Sequence, residues 1–323
     1  MKSGFVTIAH RGASGYLPEH TLAAKALAYG QGADFLEQDL VATRDDRLIV
    51  SHDIHLDRVT DVATQFPGRA REDGRYYARD LDLEEIQSLT VTERITAEGA
   101  AVFPDRFPIN TGQFRVNTFE EELTMLRGLN AASDRRVGIY PEIKAPAWHH
   151  AEGVDLAALT LGILDDFGYR RRDDEVFVQC FDWRETQRIR RDLKSNLKLV
   201  QLIADPSWNE SSSDYESMLT EDGLREVAAV ADGIGPWLNQ LYELEPIDGC
   251  PVSSGVVARA HAAGLLVHPY TFRADALPAG FEDFDALLRF FIDELAIDGL
   301  FTDFPDLAAV FTRLHPEAAP AKM

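Results

Sequence analysis

Three short segments hold the residue types that phosphate-ester chemistry uses. They are Ile8-Ala9-His10-Arg11-Gly12-Ala13-Ser14, Glu37-Gln38-Asp39 and Ser51-His52-Asp53. Imidazole titrates close to neutral pH, so His10 and His52 can take a proton from an attacking oxygen and return one to a leaving alkoxide. Arg11 can fork onto non-bridging phosphate oxygens, and Lys144 can add a point charge to the same group. Glu37 and Asp39 lie two apart on a strand, so their side chains share a face. Glu142 ends another apolar strand, Gly138-Ile139-Tyr140-Pro141-Glu142-Ile143-Lys144. Three carboxylates from two strands form an oxygen-only set suited to Ca²⁺ or Mg²⁺, and no Cys or His cluster suggests zinc. Plainer roles exist for each group: rim ion pairs for the carboxylates, structural positions for the histidines, and a bridge to Glu142 for Lys144. Gln179, Trp237, His268 and Tyr270 sit at or near strand ends. They can shape a pocket for the alcohol part of a substrate, or, taken singly, pack the core or rim. Glu19 reads as a helix-start residue. His149 and His150 read as solvent-facing, and His20, His55, His261 and His315 have no cluster argument.

A parallel barrel is the architecture that would gather these groups, because it brings the C-terminal ends of its strands to one mouth. Short apolar runs do alternate with helical patterns along the chain. Strands are expected at Phe5–Ala9, Phe35–Leu40, Leu48–His52, Val137–Ile143, Val176–Phe181, Leu197–Ala204, Gly233–Trp237, Leu265–Tyr270 and Gly299–Asp303. Helices are expected at Thr21–Gly30, Thr118–Leu129, Val154–Phe167, Trp183–Leu193, Glu221–Ala231, Ser254–Ala263, Phe284–Ala296 and Asp306–Leu314. The number of strand–helix pairs favours a closed barrel over a doubly wound sheet. No Gly-x-Gly-x-x-Gly follows the first strand, which argues against a dinucleotide fold.

A (β/α)8 barrel takes roughly 250 residues, and the chain has 323. Residues 57–117 break the rhythm, with one helical piece at Leu83–Leu89. They read either as an insertion over the mouth or as an edge decoration. The whole chain, 1–323, reads as a single domain. Pro316–Met323 reads as a frayed tail.

Net charge is −22, from 32 basic and 54 acidic residues. Such a surface repels nucleic acid and anionic membrane faces. It also repels a phosphodiester, so an anionic substrate needs a local positive site. No apolar run reaches the ~18 residues of a membrane span, so stable membrane insertion is not expected. The two cysteines, Cys180 and Cys250, make no disulfide framework, and Cys180 reads as a core thiol. No secretion signal precedes the first strand.

The stretch from Ile8 through Gly15-Tyr16-Leu17-Pro18-Glu19-His20-Thr21 resembles the opening signature of the glycerophosphodiester phosphodiesterase family. Glu37-Gln38-Asp39, Ser51-His52-Asp53, Tyr140-Pro141-Glu142-Ile143-Lys144 and Leu300-Phe301-Thr302-Asp303-Phe304-Pro305 resemble its later motifs, in order. The likeness runs from about Ile8 to Leu314. It is nearest the bacterial periplasmic type, down to Asp57-Arg58-Val59-Thr60-Asp61-Val62 and Gly233-Ile234-Gly235-Pro236.

The resemblance implies a TIM (β/α)8 barrel of the phosphatidylinositol-phosphodiesterase type, with a small insertion after the second strand region. It implies Glu37, Asp39 and Glu142 as metal ligands, with Ca²⁺ usual and Mg²⁺ the alternative. It implies His10 and His52 as catalytic residues and Arg11 on the phosphate; Lys144, Gln179 and Trp237 complete the expected substrate contacts. The implied reaction converts glycerophosphocholine, -ethanolamine or -glycerol to sn-glycerol 3-phosphate and an alcohol. His10 is read as base and His52 as acid, or the reverse. The nucleophile is water or the glycerol 2-hydroxyl. The expected partner is this small-molecule diester, with no nucleic acid, and the protein is a monomer or homodimer. A periplasmic or secreted location follows from the resemblance, and a cytoplasmic one from the missing leader. Three other readings share the barrel: a phospholipase D on intact lipids, a glycosidase using Glu142, and a non-enzymatic solute-binding protein or adhesin.

Overall fold

The computed structural model describes residues 4–315. Eleven strands are formed: β1 (Val6–Ala9), β2 (Phe35–Ala42), β3 (Leu48–Val50), β4 (Gly138–Ile143), β5 (Phe177–Cys180), β6 (Lys198–Ile203), β7 (Gly233–Pro236), β8 (Tyr242–Leu244), β9 (Pro251–Ser253), β10 (Leu266–Val267) and β11 (Gly299–Thr302). The main sheet runs β10-β7-β6-β5-β4-β2-β1-β11 with parallel pairing, and β3 pairs antiparallel with β2. The ends of the sheet meet through a short seam. Phe272 N donates to Phe301 O at 2.8 Å, Phe301 N to Pro269 O at 3.0 Å, and Asp298 N to Val267 O at 3.1 Å. The barrel expected from the alternation is therefore present. The strand expected over Leu265–Tyr270 is cut to two residues, because Pro269 has no N–H to give a ladder.

Two apolar layers surround the sheet, as a barrel requires. Inside, Ile8, Phe35, Tyr140, Phe177, Val200 and Phe301 pack together. Outside, a larger cluster joins the strands to the helices. Residues 57–117 add a third cluster, in which Val62, Ala78, Leu81, Ile86, Leu89 and Val91 pack against Leu56 and against Val41 and Ile49 of β2 and β3. Pro316–Met323 lies outside the described residues.

The first helix spans Leu22–Gln31 and is capped by Thr21, whose side chain accepts from Ala24 N at 3.1 Å. It ends at Gly32 with φ 106° rather than at Gly30, because the left-handed cap falls on the later glycine. The helix expected over Phe284–Ala296 is regular to Arg289 and continues as a π turn over Phe290–Glu294. The β8–β9 hairpin and a short helix at Pro146–Ala151 were not expected. His149 lies in that helix and is fully buried, against the expectation of exposure. Its ring accepts from Ala42 N at 3.3 Å and donates to Ala145 O at 3.1 Å. Cys180 is buried and Cys250 exposed, and both are free thiols.

Beneath the mouth, Lys25 is fully buried. Its Nζ donates to Glu122 Oε1 at 2.9 Å and to the Glu37 carbonyl. Gln38 Nε2 donates to the same Glu122 oxygen at 2.6 Å. Alternation along β2 explains this: Gln38 faces the helices while Glu37 and Asp39 face the mouth. Lys25→Met leaves the Glu122 charge buried and unpaired, and is expected to cost about 3–5 kcal/mol in urea unfolding. Lys25→Met/Glu122→Leu recovers most of that loss; a double variant no more stable than the single one refutes the pairing.

His149 and His268 are both held down to a pKa of about 4 by burial. Above about pH 6.5 both are neutral whether the chain is folded or not. Below it the unfolded chain takes up protons that the folded one refuses, so stability falls as pH drops from about 6.5 towards about 4. Urea midpoints in EDTA at stepped pH should decline through that window; a flat profile would refute this account.

Candidate functional site

The site begins where β1 ends. Arg11 has φ 59° and Gly12 φ 88°, so the chain turns back sharply through the left-handed region. A Cβ at Gly12 would come within 2.8 Å of the Ala24 carbonyl carbon, which leaves room only for glycine. The turn aims Arg11 N at Glu37 Oε2, 2.6 Å away. Across the mouth, Asp39 on β2 pairs in register with Glu142 on β4, and Glu142 with Gln179 on β5. The level register puts three polar side chains on one rim. His52 follows β3. A cleft of about 300 Å³ is lined by His10, Arg11, Glu37, Asp39, His52, Glu142, Gln179 and Trp237. Lys144 sits behind that lining, with Nζ 2.9 Å from Glu142 Oε1. Tyr270 reaches the cleft, whereas His268 lies in the barrel interior with Nδ1 2.9 Å from the Tyr140 hydroxyl.

The carboxylates are crowded and dry. Burial, then the charge of Asp39, pushes the Glu37 carboxyl well above the usual range. Burial does the same to Glu142, against the pull of Lys144. Burial also works against the Asp39 charge, but Lys144 and the hydrogen bond from His20 hold that group well below the usual range. Asp39 Oδ1 is buried with no hydrogen-bond partner. An all-oxygen cluster with an unused lone pair fits a hard divalent cation. His20 joins this cluster, and ligand atoms of His20, Glu37 and Asp39 lie within 4.8 Å of one another. His20 Nε2 is 2.7 Å from Asp39 Oδ2, so its ring orients the carboxylate rather than standing free. Sequence reasoning left His20 unassigned because its partner is distant in the chain.

Each histidine of the cleft is clamped through Nδ1. His10 Nδ1 is 2.6 Å from Asp303 Oδ1, and Asp303 also takes Arg106 at 2.8 Å and Arg273 at 2.7 Å. His52 Nδ1 is 2.6 Å from Asp53 Oδ1. Arg94 binds the other Asp53 oxygen at 2.7 Å, then Glu19 at 2.7 and 3.0 Å; Glu19 in turn binds Arg11 at 3.0 Å. Glu19 thus bridges two arginines instead of capping a helix. Arg94 and Arg106 come from the irregular segment 57–117, which carried no signal for them. Burial, then Arg11, lowers His10 to about 4 and His52 to about 3. Both rings are therefore neutral at pH 7 in the open cleft. Trp208, Glu210 and Arg273 also line the cleft and belong to no motif that points to them.

Comparison with known proteins places the chain in a family. The glycerophosphoryl diester phosphodiesterase family matches residues 10–307. A glycerophosphodiester phosphodiesterase of Haemophilus influenzae is 45% identical, over 97% of this chain and 91% of its own length. One from Treponema pallidum is 39% identical, over 94% of this chain and 90% of its own. Two crystal structures have the same barrel. A glycerophosphodiester phosphodiesterase of Agrobacterium tumefaciens aligns at TM-score 0.61 and 22% identity, covering 95% of this chain and 99% of its own. An Oleispira antarctica phosphodiesterase aligns at TM-score 0.64 and 17% identity, covering 95% of this chain and 96% of its own. On the extent of the match and the level of identity, this chain belongs to the glycerophosphoryl diester phosphodiesterase family.

Proposed function

We propose that the cleft hydrolyses glycerophosphodiesters such as glycerophosphocholine, -ethanolamine and -glycerol to sn-glycerol 3-phosphate and a free alcohol. The chain is an enzyme, a phosphoric diester hydrolase. The observation that carries the reading is the pair of carboxylate-clamped histidines beside a buried carboxylate cluster in one cleft. The Oleispira antarctica phosphodiesterase was solved in complex with the product sn-glycerol-3-phosphate, and this reading assigns the same product here.

In this scheme Arg11 forks onto the phosphate, held in place by Glu19. Lys144 sits behind Glu142, where its charge offsets the carboxylates. His10 and His52 share the two proton transfers: one takes the proton of the attacking oxygen, the other protonates the departing alkoxide. Asp303 and Asp53 fix each ring through Nδ1 and leave Nε2 as the working nitrogen. They also favour the imidazolium that forms when a ring accepts a proton. An anionic diester entering the cleft raises both pKa values from their low resting state, so the rings become competent when substrate is present.

Glu37, Asp39 and Glu142 would hold Ca²⁺, which suits oxygen ligands and tolerates irregular geometry, with Mg²⁺ as the alternative. When bound, such an ion would supply Lewis-acid polarisation of a phosphoryl oxygen and a lowered pKa for a nearby hydroxyl. Residues 57–117 are read as an insertion that serves the site, since they supply Arg94 and Arg106. No helix among the described residues is long and apolar enough to cross a membrane. A periplasmic or secreted location agrees with the resemblance to the periplasmic type.

His10→Ala and His52→Ala should each lower kcat by about 10²–10⁴-fold while the thermal midpoint stays near wild type. Glycerol 3-phosphate release, read by a coupled dehydrogenase, checks this; folded variants with near wild-type turnover would remove the pair from the mechanism. Release should also stop in EDTA and return with Ca²⁺. Turnover that persists in EDTA overturns the metal assignment, and no release with Ca²⁺, Mg²⁺ or Mn²⁺ overturns the reaction.

A further inference from the structure

The wall of the cleft opposite the histidines has a different chemistry. Phe181, Leu202, Trp208, Glu210, Trp237 and Tyr270 line it. Trp208 and Trp237 stand with ring centroids 5.0 Å apart and planes at 58°. Tilted planes leave ring faces open, which a flat stack would cover. Trp208 is 43% exposed, a high value for a side chain that nothing else in the scheme employs. Phe181 meets Tyr270 edge-on, at 5.8 Å and 88°. The Tyr270 hydroxyl already donates to Ile203 O at 2.9 Å, so Tyr270 offers its ring and not its O–H. Glu210 has no ion-pair partner among the described residues. Lys144, whose charge Glu210 feels, is bound to Glu142.

The loop that carries Trp208 and Glu210 is built rather than loose. Asp205 caps it, accepting from Ser207 N at 2.9 Å and Ser207 Oγ at 2.6 Å. Asn209 turns the chain with φ 55°. Beyond Glu210, the Ser211 and Ser213 hydroxyls and the Tyr215 phenol all donate to Phe181 O, at 3.3, 3.3 and 3.2 Å. The loop is thereby fastened to the end of β5, beside the ring of Phe181.

Ring faces with one unpaired carboxylate suit a cation that has no hydrogens to donate. A methylated ammonium is attracted to aromatic faces and needs only a distant negative charge for balance. A neutral polyol would leave the carboxylate without a partner, and an anionic alcohol would be repelled by it. We propose that this wall is the leaving-alcohol subsite and that it selects a quaternary-ammonium alcohol such as choline. This rests on reading the cleft as the diester site.

The test compares kcat/KM for glycerophosphocholine with that for its uncharged carbon isostere, the dimethylbutyl ester of glycerol phosphate. The wild-type enzyme should prefer the choline diester by roughly tenfold. Glu210→Gln and Trp208→Ala should each collapse that ratio towards unity. Equal turnover of the two diesters by the wild-type enzyme overturns the subsite and leaves the hydrolase reading intact. A second readout needs no turnover: choline should quench tryptophan fluorescence in the wild-type protein but not in Trp208→Ala, and dimethylbutanol should quench neither. If no diester is hydrolysed with any metal, the hydrolase reading falls, and choline quenching alone decides the subsite. Absence of that quenching overturns it.

Discussion

Three carboxylates withdrawn from water are the constraint around which this molecule is organised. Glu37, Asp39 and Glu142 are all nearly fully buried, and the paired register of β2 and β4 puts Asp39 and Glu142 side by side. Desolvated like charges at such spacing are unfavourable unless positive groups surround them. The sequence supplies those groups from several directions. Lys144 follows two residues after Glu142, Arg11 gives its backbone N–H to Glu37, and Lys25 approaches from below. His20 fixes one oxygen of Asp39. The remaining deficit is what a hard cation would fill.

A second ring of ion pairs holds the histidines. It spans segments far apart in the chain, because Asp303 closes the barrel at β11 while Arg94 and Arg106 come from the irregular segment 57–117. Clamping at Nδ1 fixes each ring by one hydrogen bond and by the packing around it. Both aspartates stay ionised: Arg273 is the strongest partner charge on Asp303, after burial opposes it, and the hydrogen bond from His52 with the charge of Arg94 does the same for Asp53. The orientation of both rings thus depends on side chains brought in from distant segments of the chain.

Much of this was legible because strand ends have local signatures. The apolar runs and their polar terminators located His10, Arg11, Glu37, Asp39, His52 and Glu142 before any fold existed, and alternation on β2 assigned a common face to Glu37 and Asp39. What stayed hidden depends on contacts between distant segments. Glu19 looked like a helix-start residue and His20 had no assignment, since only the turn at Arg11 and Gly12 swings them onto Arg94 and Asp39. His149 looked exposed because its burial depends on β2 passing beneath it. Trp208 and Glu210 lie in a loop whose shape is set by hydrogen bonds to Phe181, and no periodicity encodes that.

The segment 57–117 has an apolar cluster of its own, yet Val41 and Ile49 of the barrel belong to that cluster. Its Arg94 and Arg106 end on carboxylates supplied by the barrel. It is therefore not a module that can be exchanged between relatives as a unit. A chimera taking this stretch from another barrel would carry foreign arginines towards Asp53, Glu19 and Asp303, and their alignment would have to be rebuilt on both sides of the joint. Changing this stretch alone therefore withdraws the support of both histidine-bearing strand ends, and the two behave as one mechanical unit.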